Sequence, residues 1–563
     1  MPFSEDPSDR LTAPGAPFEV EGGVYVSGPR TLREFVEATW AFGDRPFLVA
    51  ENATYTYGEF FAAASALANR LVEVHGLRPG DRAVVGMRNH PEWQIAFWAA
   101  QLAGLVTVPL NAWWTEEEFT YALDDCTPRV LLVDGERLPR VRAWASRRRV
   151  PVVVFHDEEE PAGGGAGSPV RDGIERYEDL PVADPGTAPP DVDVRPEDDA
   201  TIIYTSGTTG RPKGAVATQL AQAGAAMNPR YTAAASALAR GVLPGQGPAP
   251  VSLMTFPFFH VAAFTTVYSV MAVGGTLVLM RKWDAEQAAA LIERHGVTHY
   301  SGVPTTALQL LDAVERSGTP LSSLTHLNTG GAAAPPDLVA RLTARFGERV
   351  EPRNGYGLTE TCGGVTANFG ASYRRFPGSV GRPTPAVEAR IAGPDGEPLP
   401  DGEVGELWLR GQSLVRGYWR DEEATAGAFT ADGWFMTGDL ATLRDGRVSI
   451  VDRLKDMVVR GGENVYSVEV EAALHGHPAV VDAAVLGVPH PLLGEEVAAV
   501  VQLRPGAAVT AGELRTHVAR TLAAFKVPAH VLVRKEPLPR NPTGKILKRE
   551  LRGPLARQVA GSG

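Results

Sequence analysis

Residues 201–216 read TIIYTSGTTGRPKGAV. The β-branched run Thr201-Ile202-Ile203-Tyr204 predicts a short buried strand. It breaks into Thr205-Ser206-Gly207-Thr208-Thr209-Gly210, too glycine-rich for a helix and too flexible for a strand. Glycine lets backbone N–H groups come close to a ligand, and Ser and Thr hydroxyls add O–H donors. Lys213 follows at the rim with a mobile positive charge. Such a loop suits a polyphosphate. The G-x-x-x-x-G-K-[ST] spacing is absent, and Pro212 disfavours a helix directly after Gly210. Composition alone also allows a plain Gly/Ser/Thr surface turn.

A second stretch, Asn354-Gly355-Tyr356-Gly357-Leu358-Thr359-Glu360, sets an aromatic ring between two glycines. Neither neighbour crowds Tyr356, so its ring can lie flat against a base. Glu360 is a hard-oxygen ligand of the kind that holds Mg2+ between phosphates. A turn with a packed tyrosine is the alternative. Asp439, in Gly433-Trp434-Phe435-Met436-Thr437-Gly438-Asp439, is acceptor-only with two oxygens, which suits paired ribose hydroxyls. An aspartate in a turn is also a common turn former.

The order of residues in YTSGTTGRPKG resembles the phosphate loop of the adenylate-forming superfamily, which contains acyl-CoA ligases, peptide-synthetase adenylation domains and firefly-type luciferases. Residues 356–360 resemble that family's YGxTE motif and residues 437–439 its TGD motif. The resemblance implies that Thr359 meets the α-phosphate, Glu360 the Mg2+ and Tyr356 the adenine, with Asn354, Gly355 and Gly357 beside the nucleotide. It sets Gly330, Gly331, Ala332 and Ala333 against adenine and acyl chain, and Asp439 and Arg453 on the ribose. Lys455 matches the family hinge. Lys545, in Pro539-Arg540-Asn541-Pro542-Thr543-Gly544-Lys545-Ile546, matches the catalytic lysine, although a lone lysine is ordinarily a solvated surface residue. Its cation would bridge substrate carboxylate and α-phosphate as negative charge develops. Arg460-Gly461-Gly462 would let a pantetheine arm pass and meet a phosphate; a glycine turn between strands competes with that reading. His260, in Phe256-Pro257-Phe258-Phe259-His260, takes a positioning or gating role rather than that of a general base. The acyl pocket is expected from His260, Val261, Phe264, Val303, Gly330, Gly331 and Gly355.

The elements that must position these residues follow from periodicity. The chain has 563 residues, enough for two or more domains. Its apolar and charged fractions, 44% and 21%, are ordinary for a globular protein. A net charge of −12 with no basic block argues against nucleic acid as a partner. Two cysteines, Cys126 and Cys362, give neither a disulfide framework nor metal spacing and fit a reducing cytoplasm. The first residues lack the apolar core of a signal peptide. Residues 241–280 carry no Asp, Glu, Lys or Arg, but Pro257, His260 and Gly274-Gly275 interrupt them. They read as strand 251–256, helix 261–272 and strand 275–280 rather than a membrane span. Strands at 53–57, 82–87, 106–110 and 129–134 alternate with helices at 31–40, 57–74, 91–102 and after Thr115, the pattern of a doubly wound sheet. Residues 157–196 read as a solvated loop, and 227–250 as a short helix with a Gly/Pro-rich turn. A second alternation runs from 275 to 346. After Val380, short strands and Gly/Asp turns suggest an antiparallel sheet or small barrel.

The expected fold is α/β. A large N-terminal domain of doubly wound mixed sheets plus a small β-barrel spans 1–454, and a small mobile α+β domain spans 455–563. The expected function is ATP-dependent ligation of a carboxylic acid to CoA through acyl-AMP, with ATP, Mg2+ and CoA. The pattern at Asn111-Ala112-Trp113-Trp114 looks like that of bacterial fatty-acyl or related ligases. The alternative is an adenylation enzyme loading a separate carrier protein; no carrier domain follows Lys545, which favours a free thiol. A luciferase-like oxygenase and an idle binding protein that retains the fold are further rivals; intact Lys545 and Glu360 speak against the last. No stable membrane insertion is expected, a homodimer is left open, and the acid itself is not readable.

Overall fold

The structure, a computed structural model, describes residues 7–157, 170–171, 173–205, 211–332, 334, 338–541 and 545–560. Among the described residues two nine-stranded mixed sheets form the large domain. The first runs in the order Gly417–Tyr418, Lys213–Thr218, Asp199–Thr205, Val106–Pro109, Arg82–Gly86, Val130–Asp134, Val152–Phe155, Ile174–Arg176, Val170–Arg171. The second runs Arg382–Pro383, Gly363–Phe369, Glu351–Leu358, His326–Thr329, His299–Gly302, Val251–Met254, Thr276–Leu279, Pro46–Val49, Thr54–Thr56. In each sheet the central pairs are parallel and the edges antiparallel.

Local chemistry explains the elements. The Tyr57–Glu73 helix starts with a reciprocal capping box between Thr56 and Glu59, and the Glu116–Cys126 helix with one between Thr115 and Glu118. Every residue of the Pro91–Leu102 helix is buried. Mostly apolar, with Glu92, Gln94 and Gln101 hydrogen-bonded inside, it belongs in the interior, packed into one core with the Tyr57–Glu73 and Val261–Met271 helices. The antiparallel sheet or small barrel expected after Val380 is a four-stranded antiparallel sheet, in the order Val387–Ala392, Gly405–Gly411, Phe435–Arg444, Arg447–Arg453. The small C-terminal domain is a five-stranded sheet backed by the Ser467–His475, Ala511–Ala519 and Lys548–Ala560 helices.

Two readings of the sequence are corrected. The short helix expected within 227–250 belongs to a 21-residue helix, Gln219–Ala239, which runs through Pro229. Proline there removes one N–H donor from the ladder, and the buried face holds the helix together regardless. Residues 157–196, read as a solvated loop, contain among the described residues the Val170–Arg171 and Ile174–Arg176 strands, which extend the first sheet past the Val152–Phe155 strand. No helix among the described residues is long and apolar enough to cross a membrane.

Candidate active site

The Asp199–Thr205 and Lys213–Thr218 strands form an antiparallel hairpin in which Thr205 faces Lys213. Ser206, Gly207, Thr208, Thr209 and Gly210 lie outside the described residues, as does Ala333. Beyond them, Tyr121 donates its hydroxyl to the Pro212 carbonyl at 3.0 Å, and Arg211 lies over the Tyr121 ring.

Lys213 and Glu360, far apart in sequence, meet around one tyrosine. The Gly417–Tyr418 strand pairs with the Lys213–Thr218 strand, Tyr418 facing Ala215. The Tyr418 hydroxyl donates to Glu360 Oε1 at 2.8 Å, and Lys213 Nζ is 5.2 Å from the centre of its ring. Glu360 itself stands in the Thr359–Thr361 turn, just past the Glu351–Leu358 strand, and is half-buried. One bond from Tyr418 leaves a carboxylate with acceptor capacity to spare. Its hard oxygens fit Mg2+.

Tyr356 sits at a bulge in the same strand. Its flanking glycines have a reason other than ring access: a Cβ on Gly357 would meet the Gly363 carbonyl oxygen at 2.0 Å, and one on Gly355 the Thr366 carbonyl oxygen at 2.8 Å. Gly355 is thus small to let the neighbouring strand approach, not to open an acyl pocket, and only its carbonyl borders Gly330, 3.8 Å from a Cβ built there. The Asn354 side chain accepts from the Gly355 N–H at 2.8 Å.

Asp439 is buried and uses both oxygens. The Tyr356 hydroxyl donates to Oδ2 at 2.6 Å, and Arg453 Nε lies 3.0 Å from Oδ1. Asp439 and Arg453 are cross-strand partners, so the pairing is fixed by register. Burial and the Asp439 charge push the Tyr356 phenol well above its ordinary range, keeping it a donor. Lys455 occupies the turn between the Arg447–Arg453 and Val458–Arg460 strands, where the large domain's last sheet gives way to the small domain's first strand. Lys545 comes to this same place. Its ammonium is drawn down to about 8, first by loss of water to the protein around it, then by the Arg453 and Lys455 cations, against the pull of Asp439 and Asp456. The residue still presents exposed surface, so it is crowded in a cleft rather than sealed in a core. Three cations that repel one another beside a buried carboxylate favour an anionic guest.

His260 precedes the Val261–Met271 helix as its N-cap, Nδ1 accepting from the Ala262 N–H at 3.2 Å. That bond assigns the proton to Nε2, making the ring a donor on its other edge. Burial, and next the Lys545 cation, lower the imidazole to about 4, so it is neutral at pH 7. Ala332 lies exposed beside Gly331, where an added Cβ would find only Val303 Cγ1 within reach, at 3.8 Å. Val261 is buried, and Phe264 is packed among Trp93, Phe97 and Tyr268. Trp113 meets Phe259 edge-on, and Trp114 meets Tyr204, so the tryptophan pair joins the His260 segment to the strand leading into the phosphate loop.

Arg460, Gly461 and Gly462 are not drawn into this cluster. Gly461 and Gly462, with φ of 61° and 89°, form the two-residue tip of a hairpin between the Val458–Arg460 and Glu463–Val465 strands. Arg460 faces Gly494, with its guanidinium 3.6 Å from Glu496. Sequence reasoning missed Tyr418, whose role exists only through strand pairing. It also missed Asp452, buried beside the hinge, which accepts from the Ser467 hydroxyl at 2.9 Å while Lys548 donates to that same hydroxyl at 2.9 Å.

The family model described as AMP-binding enzyme matches residues 35–419, and that of the AMP-binding enzyme C-terminal domain matches 469–545. A feruloyl-CoA synthase from an Amycolatopsis species is 37% identical over 499 residues, 88% of this chain and 93% of that protein. A long-chain-fatty-acid–CoA ligase from Thermus thermophilus is 37% identical over 544 residues, 92% of this chain and 95% of that protein. The crystal structure of ATP-bound MatB from Rhodopseudomonas palustris superposes with a TM-score of 0.79 at 30% identity, covering 92% of this chain and 98% of that one. With both halves of the chain matched and the architecture shared, this protein belongs to the AMP-binding enzyme family as an acyl-CoA synthetase, an AMP-forming acid–thiol ligase that uses ATP, Mg2+ and CoA.

Proposed function

We propose that this enzyme joins an aryl or fatty carboxylic acid to CoA in two steps at one site, with the small domain turning about Lys455 between them. In the first, the acid's carboxylate attacks the α-phosphate of ATP and pyrophosphate leaves. In the second, the CoA thiol attacks the acyl carbon and AMP leaves. Lys545 meets the charge that builds between carboxylate and α-phosphate, Thr359 hydrogen-bonds the α-phosphate, and Asp439 and Arg453 hold the ribose, with Tyr356 against the adenine. Lys213 and the phosphate loop hold the β- and γ-phosphates. Glu360 would hold Mg2+, which would supply positive charge against the phosphates. His260, neutral and donating from Nε2, positions the acid at the mouth of a pocket bounded by Val261, Val303, Gly330 and Gly331.

One observation carries this reading. The lysine from the C-terminal loop, Lys545, and the carboxylate–arginine pair of the large domain, Asp439 and Arg453, feel one another's charge, although they are far apart in sequence. That is an arrangement for adenylation. The Arg460–Gly462 hairpin tip, outside the cluster in this pose, is the face that a rotation would bring in with the pantetheine arm. We assign 1–454 and 455–563 as the bodies that move. The test is a panel of hydroxycinnamic, benzoic and fatty acids scored for AMP release with and without CoA. The panel spans both classes because relatives named for each are equally identical to this chain. CoA-dependent release of AMP with one acid class supports the reading; adenylation of every acid with no stimulation by CoA refutes the second step.

A further inference from the structure

Three side chains outside the nucleotide site converge without a part in the reaction. His90 is the N-cap residue of the Pro91–Leu102 helix, but its side chain makes no capping bond. Glu92 lies two residues on, 7% exposed. His156 follows the Val152–Phe155 strand with a left-handed backbone, φ 52°. The three come together where the start of the Pro91–Leu102 helix meets the end of the Val152–Phe155 strand. His156 Nε2 is 2.7 Å from Glu92 Oε2, the Tyr55 hydroxyl donates to Glu92 Oε1 at 3.0 Å, and the two imidazoles stack with centres 4.2 Å apart. One donor atom from each of His90, Glu92 and His156 lies within 4.8 Å of the other two. Among the described residues this is the one such trio of histidine, cysteine or acidic side chains.

We propose that His90, Glu92 and His156 form a binding site for a divalent transition-metal ion of the Zn2+ class, separate from the Mg2+ position at Glu360. Two imidazole nitrogens and one carboxylate oxygen are the donor set that Zn2+, Co2+ and Ni2+ take up, whereas Mg2+ prefers oxygen alone. A tetrahedral ion with bonds of about 2.0–2.2 Å holds its donors about 3.3–3.5 Å apart. The His156–Glu92 pair therefore opens by several tenths of an ångström on binding. The stacked imidazoles do not aim at one centre as they stand, so His156, its side chain 40% exposed, must also turn its ring out of the stack. Tyr55 already orients the carboxylate, as an outer-shell partner does. The charges facing the site are Asp134 and Glu178 in favour of a cation, with Arg281 and the positive end of the helix against it. A bound ion would tie the end of the Val152–Phe155 strand to the start of the helix. It would also act next to Asn89, whose side chain donates to the Phe256 carbonyl at 2.8 Å and accepts from the Phe258 N–H at 2.9 Å, two residues before His260.

The test uses the full chain, stripped of metal with a chelator and titrated with Co2+ and then Zn2+ in millimolar Mg2+. Cys126 and Cys362 are buried and supply no competing thiolate. One Co2+ per chain should give the visible absorption of a low-coordinate site, and Zn2+ should displace it. H156Q and H90Q should each weaken Zn2+ binding by at least about the 10–100-fold that losing an outer-shell partner costs. Zn2+ should raise the melting temperature of the wild type and leave that of H156Q where it was. H156Q changes an exposed side chain, so its fold is checked by unaltered AMP formation in Mg2+. Stoichiometric Zn2+ binding that H156Q and H90Q leave intact, or no saturable binding by the wild type, overturns the proposal and leaves the trio as a hydrogen-bonded Glu–His pair with a stacked ring.

Discussion

Replacing Lys545 by alanine separates the two half-reactions. Its ammonium titrates at about 8 beside Arg453 and Lys455, so at pH 7 roughly nine-tenths of the free enzyme carries the charge. Removing one well-placed charge donor from a developing anion costs about 3–4 kcal/mol, or roughly 10²–10³ in rate. Adenylation by K545A, measured as pyrophosphate released from acid and ATP, should fall by that factor. Conversion of supplied acyl-AMP and CoA to thioester should stay near the wild-type rate, because on the proposed rotation the lysine would leave the site before the thiol attacks. The pH profile adds a second readout. The active form is protonated, so kcat/KM for adenylation should decline as pH rises through about 8, while thioester formation from acyl-AMP should not follow that limb. K545R keeps the charge without titrating in this range and should flatten the limb in whatever activity it retains. Equal losses by K545A in both assays would refute the reasoning and make the lysine structural.

Glu360→Ala should depress adenylation strongly; near-normal rates at ordinary Mg2+ would remove the metal assignment. Asp439→Ala should act on ATP affinity instead, weakening it roughly 10–100-fold in an equilibrium binding assay, the worth of about 1.5–3 kcal/mol in charge-assisted bonds; an unchanged affinity counts against the ribose role. Gly331→Leu extends into open space toward Val303, so across a chain-length series long or branched acids should lose more activity than short ones, and uniform losses would tie the effect to the strained backbone at φ 77°. Gly461→Trp, which crowds Leu493 at the hairpin tip, should form acyl-AMP and stall before thioester. Lys455→Pro should behave alike if fixing φ locks the hinge in the adenylating pose; normal thioester formation by either variant contradicts the rotation.

What could be read before folding was whatever has a local cause. Thr115 announces its helix as a cap and Pro91 marks the start of another, and the helices at 57–74, 91–102 and after Thr115 stand where they were expected. Leu138, Val141, Trp144 and Ala145 also carried a helical signal that was overlooked, followed by the plain strand Val152-Val153-Val154-Phe155. Pro229 misled in the other direction, since a breaker is weighed locally while burial of the Gln219–Ala239 helix is settled by its neighbours. The site residues were legible only because their order matches a family; their partners were not. Tyr418 has no motif and gains its place from an edge strand two residues long. Gly355 and Gly357 have a further reason to be small that the sequence does not show, since a Cβ on either would meet a carbonyl oxygen of the strand beside them. Asp452 shows why such contacts stay hidden. It belongs to the last strand of the large domain, yet its carboxylate is held by Ser467, to which Lys548 also donates. On the proposed rotation about Lys455, this contact crosses the hinge and would be made in one pose and not the other. Residues biasing that choice have no local pattern to mark them, so on that proposal they would be the least visible in the sequence and would set the timing of the two half-reactions.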